Sequence, residues 1–288
     1  MNSKDNRSST FLVFAAALGQ AALIMLMHPI WAGLSVLNLA VSPRLPWAAA
    51  LEIIFLWILW RFLAGSSGSR GGRAERHALL KWNHLSGEVW AWSALAGGAA
   101  MVCMFLVETH SCVVAWGTGN SAAVVPGPLD FAQMTKLTGI SFALVTSAVA
   151  ALVEESAFRG YMQSQLEKRF AAPTTFAIVA LTFSAFHLYG RPVHLWLAGI
   201  PDWIVISLIF SYLVRVTKSL VPAVICHFVV DAVLFSLDWF DDPLRPLRTI
   251  VPGAHASVGT LICGVSALIS ILAFRSLAKR AARLSAAA

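Results

Sequence analysis

Runs of roughly twenty apolar residues recur along this chain, and about 20 in a row is what a helix needs to cross the hydrocarbon core of a bilayer. They fall near 11–39, 46–64, 89–116, 137–158, 174–190, 195–214, 220–237 and 255–274. No soluble-sized gap separates them. The pattern therefore predicts an all-α polytopic transmembrane bundle with about eight membrane-spanning helices. The composition is 58% hydrophobic and only 12% charged, against about 25% charged in soluble domains. The alternating ten-residue segments of a membrane β-barrel are absent. The first run, from Phe11 to about Val41, is too long for a signal-peptide core and is expected as one retained helix.

The net charge of +7 does not point to nucleic acid, because the basic residues sit in short loops and at the ends. There they act as topology signals and as contacts for anionic membrane lipids. Arg70, Arg73, Arg76 and Lys81 in the 65–88 linker, and Arg275, Lys279, Arg280 and Arg283 in the tail, put both termini on the cytoplasmic side. A bacterial inner membrane is the expected setting. Residues 1–136 form N-terminal helices and a basic linker, 137–237 a four-helix core, and 238–288 a last helix with a basic tail. The scattered Cys103, Cys112, Cys226 and Cys263 are expected as small core residues, with no C-x-x-C pair to hold a metal.

Ionisable side chains at bilayer depth are costly, by about 2.5–3.5 kcal/mol each, and mark cavities or pathways. Glu154 and Glu155 end the apolar stretch Ala148–Val153. Glu155 and Arg159 stand at i,i+4 with the acid first, the favoured order for a helical ion pair, and are expected to neutralise each other. Glu154 points about 100° away, which makes it the better candidate base. Two later apolar runs carry His187 and the i,i+4 pair His227 and Asp231. A turn centred near Ala171 and Ala172, opened by Pro173, would leave Glu154 and His187 each about 25 Å from it. The two should then be level in an antiparallel helix pair. His227 lies only about 12 Å from the start of its helix at Leu220, shallower than His187 unless helix tilt or a protruding hairpin removes the mismatch.

These segments read Glu154-Glu155-Ser-Ala-Phe-Arg159, Phe183-Ser-Ala-Phe-His187 and His227-Phe-Val-Val-Asp231. In order and spacing they resemble the CAAX-protease and bacteriocin-processing family of intramembrane glutamic endopeptidases, also called the Abi family. Its pattern is E-E-x-x-x-R, F-x-x-x-H and H-x-x-x-N or D. The resemblance covers about 137–237 and assigns residues 1–136 nothing beyond anchoring. It implies that Glu154 and His187 activate a water for attack on a peptide bond of a membrane-proximal protein or peptide. It also implies that His227 and Asp231 support the oxyanion site, without any cofactor. Ionised Asp can only accept hydrogen bonds, so Asp231 is expected to fix the His227 tautomer.

Rival readings use the same residues. A metal-dependent hydrolase would gather ligands from Glu154, His187, His227 and Asp231, although no H-E-x-x-H occurs. A non-proteolytic scaffold or immunity-type protein could keep the motifs. A proton-relay transporter would use such side chains too, but no inverted repeat is evident. Gly65-Ser66-Ser67-Gly68 spells the G-x-S-G string of rhomboid serine proteases, yet lies in a linker outside any apolar run. Glu108, His110 and His28 are expected to bond between helices or line the cavity. Glu52 is expected to snorkel or pair.

Overall fold

A computed structural model describes residues 3–63, 70–116, 134–188, 193–239 and 252–287, all built on helices, with no strand among the described residues. In chain order these are α1 (Ser3–Met25), α2 (His28–Val41), α3 (Trp47–Leu63), α4 (Arg70–Leu80), α5 (Gly87–Trp116), α6 (Lys136–Leu166), α7 (Ala172–Phe186), α8 (Val193–Thr217), α9 (Val221–Trp239) and α10 (Pro252–Ala287).

Four stretches of the described residues are long and apolar enough to cross a membrane: Thr10–Val41, Lys136–Leu166, Gly199–Thr217 and Leu261–Arg283. The chain is a multi-pass helical membrane protein. The expected eight crossings are met only in part. Ala172–Phe186 and Val221–Val233 are apolar but shorter, and α3 has 17 residues, below the roughly 20 that a full crossing uses. The first run is also not one helix. It breaks at Leu26 and Met27, and α2 restarts with Pro29 in its first turn, where a missing N–H costs nothing.

The core gathers on α6. Its entry is capped by Thr135, whose hydroxyl accepts from the Thr138 amide at 3.2 Å. Every residue from Val149 to Gly160 is buried. Ala17 and Ala21 of α1 let that helix approach closely, as small residues do between membrane helices. Phe158, Met162 and Leu166 pack into the same cluster. Two π-helical stretches, Phe142–Thr146 and Ser156–Met162, interrupt α6 on either side of the paired glutamates. On the opposite face of the bundle α10 lies along α5, joined by the Arg280–Glu88 ion pair and by Arg280 over Trp92 at 4.9 Å.

Part of the 65–88 linker is folded. Gly65–Gly68 lies outside the described residues, but α4 docks on α6 with Leu79 and Leu80 buried, and Ser164 Oγ donates to the Leu79 carbonyl at 2.7 Å. Beyond α4, Lys81 and Lys218 take left-handed backbone conformations (φ 50° and 54°). Their loops clasp: the Leu220 amide donates to Lys81 O at 3.0 Å, and Ser219 Oγ donates to Asn83 O at 2.9 Å. Glu167 meets Lys81 at 2.7 Å and Arg215 at 3.5 Å. Burial would push the Glu167 carboxyl up. The Lys81 hydrogen bond and charge, with Gln163 and Arg215, outweigh it and hold the group below the usual carboxylate range. Lys81 is also lowered, but by burial, which outweighs the opposing pull of Glu167.

Candidate active site

The i,i+4 spacing on α6 and α9 decides the local pairs. Arg159 Nη1 donates to Glu155 Oε1 at 2.8 Å, with both side chains fully buried. The guanidinium also lies 4.4 Å from the Phe183 ring centre and 5.3 Å from that of Phe210. Ring faces thus replace water around a charge that burial would otherwise leave uncompensated. On α9, His227 Nε2 stands 3.3 Å from Asp231 Oδ2.

Packing of α9 along α6 joins the two pairs. His227 Nδ1 is 2.9 Å from Glu155 Oε1 and donates to it, while Nε2 reaches 3.9 Å from Glu154 Oε2. The closest carboxylate to Nδ1 is therefore Glu155, and Asp231, the expected tautomer anchor, faces Nε2. With acceptors on both sides, the ring can donate to both only when doubly protonated. Phe210 stacks on it at 5.4 Å and 23°, fixing its plane.

His227 is not held apart from the glutamates by its shallower expected depth. Gln163 Nε2 donates to Ser211 O at 3.2 Å, and the turn after α8 is tied to the end of α4. Helix α6 runs on to Leu166 before it turns. His227 reaches both glutamates, with Nδ1 on Glu155 and Nε2 facing Glu154.

His187 caps α7, and its Nδ1 donates to the Phe183 carbonyl at 2.8 Å, which leaves Nε2 as the acceptor nitrogen of the neutral ring. The ring stacks on Trp203 of α8 at 4.9 Å and packs on Phe183 at 4.5 Å. Phe183 also touches Arg159, so one phenyl ring ties His187 to the carboxylate cluster. Glu154, Glu155 and Asp231 each contact His227, Arg159 contacts Glu155, and His187 joins this chain of contacts through that ring.

A further side chain enters from α2. His28 Nε2 lies 3.7 Å from Glu154 Oε1. The sequence signal was only a histidine beside Pro29 in an apolar run. Glu154 Oε2 and Glu155 Oε2 are buried and make no hydrogen bond among the described residues. Glu52 does not snorkel: at 1% exposure it accepts from Ser35 Oγ at 2.5 Å and Thr146 Oγ1 at 3.4 Å. Among the described residues no three His, Cys, Asp or Glu side chains are grouped to hold a metal ion. Ser67 and the side chains of Glu108 and His110 lie outside the described residues.

Residues 136–233, roughly a third of the chain, match the family model of the type II CAAX prenyl endopeptidase Rce1-like proteins. No curated protein and no solved structure matches the chain. The matched stretch begins where α6 begins and includes Glu154, Arg159, His187, His227 and Asp231. Over residues 136–233 the chain is thus similar to the CAAX protease family, in agreement with the resemblance that the three motifs carry.

Proposed function

We propose that this protein is an intramembrane glutamic endopeptidase that cuts a membrane-proximal protein or peptide, with both termini cytoplasmic and about eight crossings. One observation carries the reading. On the family-matched segment, a carboxylate oxygen buried in the bundle, Glu154 Oε2, makes no hydrogen bond among the described residues and has an imidazole 3.9 Å away. An unengaged acceptor in a poorly hydrated site is what a general base needs.

In this reading Glu154 takes a proton from the attacking water, which His187 orients through Nε2. His227 donates toward the developing oxyanion, with Glu155 and Asp231 holding its ring. Arg159 neutralises Glu155, so that Glu154 is the carboxylate left to react. The name of the matched family makes a prenylated Cys-aliphatic-aliphatic-X terminus the first substrate class to try.

Glu154→Ala and His187→Ala, purified in detergent, are assayed by mass spectrometry against a farnesylated CaaX peptide and a panel of membrane-proximal peptides. Both should fold and lose cleavage, while Ser67→Ala keeps it. Cleavage that survives Glu154→Ala, or vanishes in Ser67→Ala alone, defeats the proposal.

A further inference from the structure

We infer that His28, which lies outside the segment matched to the family, is a positioning residue for Glu154. The inference rests on the endopeptidase reading and adds to it a part supplied by the N-terminal helices. His28 begins α2, roughly a hundred residues before the matched segment starts.

The contact itself is divided between the two carboxylate oxygens of Glu154. His28 Nε2 stands 3.7 Å from Oε1, and His227 Nε2 stands 3.9 Å from Oε2. Such separations are longer than a formed hydrogen bond, as catalytic contacts often are before substrate binds. A carboxylate held at one oxygen cannot turn about its own axis, and the other oxygen is then aimed.

The position of His28 is set by a second cluster farther along the same two helices. Ser35 Oγ donates to Glu52 Oε1 at 2.5 Å and lies 3.3 Å from Thr146 Oγ1, which bonds the other Glu52 oxygen at 3.4 Å. Ser35 follows His28 on α2, and Thr146 precedes Glu154 on α6, by seven and eight residues. At about 1.5 Å rise per residue these steps are about 10 and 12 Å. In an antiparallel pair, the hydroxyl clamp that fixes the register at one end brings His28 level with Glu154 at the other. Glu52 is buried, and α3 supplies it, so three helices lock that register.

The ring of His28 is braced from its own helix, where Trp31 packs at 4.4 Å and 58°. Its side chain is 30% exposed against 8% for Glu154. It is the wetter of the two imidazoles on this carboxylate, since His227 is also at 8%.

The test compares wild type, His28→Phe, His28→Gln and Glu154→Gln in detergent, on a farnesylated CaaX peptide and its unprenylated counterpart. His28→Phe keeps a ring but no donor, and should lower kcat at least tenfold with KM within threefold. His28→Gln restores a donor and should recover at least a third of the wild-type kcat. A purely structural role would not separate these two variants. Wild-type kcat in His28→Phe beside an inactive Glu154→Gln overturns the role of His28 alone. An active Glu154→Gln overturns Glu154 as the general base, and with it the glutamic reading, instead. A readout free of substrate is the rate at which diethyl pyrocarbonate modifies His28, followed by mass spectrometry. It should rise at least threefold in Glu154→Gln, and an unchanged rate overturns the contact even where neither peptide is cut.

Discussion

Replacing Arg159 by methionine puts the charge balance of the site to a quantitative test. The guanidinium is fully buried, bonded to Glu155 at 2.8 Å, and laid against Phe183 at 4.4 Å and Phe210 at 5.3 Å. Removing one partner of a buried pair costs about 3–5 kcal/mol, because the other charge is left uncompensated. Loss of a desolvated cation–ring contact adds up to about 2 kcal/mol, of which a thioether against the same rings keeps a part. Glu155 retains His227 Nδ1 at 2.9 Å, so the lower end of the range, about 3 kcal/mol, is expected. Adding Glu155→Gln removes the stranded charge. Neutral replacement of a whole buried pair is often close to neutral in stability, so the double variant should return to within about 2 kcal/mol of wild type. The assay is reversible unfolding in mixed micelles, read as a double-mutant cycle in which the coupling energy is measured directly. Arg159→Met within about 1 kcal/mol of wild type, or a double variant as unstable as the summed singles, would refute the argument.

Other consequences follow from the clasp and from close packing. The Glu167 carboxyl sits below its usual range in the fold. Its share of stability is therefore complete above the ordinary carboxylate pKa and is lost as pH falls through the depressed folded value. Lys81, lowered by burial, contributes with the opposite sign, and that penalty is relieved only in the alkaline range. Unfolding midpoints should thus drop on acidification, and Lys81→Met should flatten that drop; parallel curves for the two proteins would contradict it. Gly160 admits Leu80 so closely that a Cβ would stand 2.7 Å from Cδ2. Gly160→Val should cost about 1–3 kcal/mol and raise proteolysis within α4, whereas unchanged protection there would show that the contact does not hold the helix. Treatment with EDTA followed by gel filtration should leave peptide cleavage within twofold of the untreated protein, and loss that zinc restores would favour the metal-dependent reading.

Local geometry made part of this site legible before any coordinates. Glu155 with Arg159, and His227 with Asp231, meet because i,i+4 neighbours on a helix must lie close. The hairpin at Ala171–Pro173 was legible for the same reason, since proline in a first turn marks a helix start. What escaped depends on packing between distant segments. His28 meets Glu154 through helices 126 positions apart in sequence, and no periodicity encodes that pairing. Glu52 looked like a residue at a helix start that could reach water. Only the approach of Ser35 and Thr146 turns it into a buried clamp. The break at Leu26 and Met27 was hidden because both sides of it are equally apolar, leaving Pro29 as its one mark. Docking of α4 was obscured by the glycines and arginines around it, since Leu79 and Leu80 at its end are its buried side chains among the described residues.

The two π-helical stretches of α6 bracket the short α-helical piece Ser147–Glu155. Each is a place where the winding has slipped by one residue, so that piece behaves like a shaft between two couplings. Deleting one residue from Ser156–Met162 would restore ordinary winding and swing both acids by about 100°, away from the imidazoles, with every side chain of the catalytic set still present. The aim of the two carboxylates therefore resides in residue count as much as in residue identity.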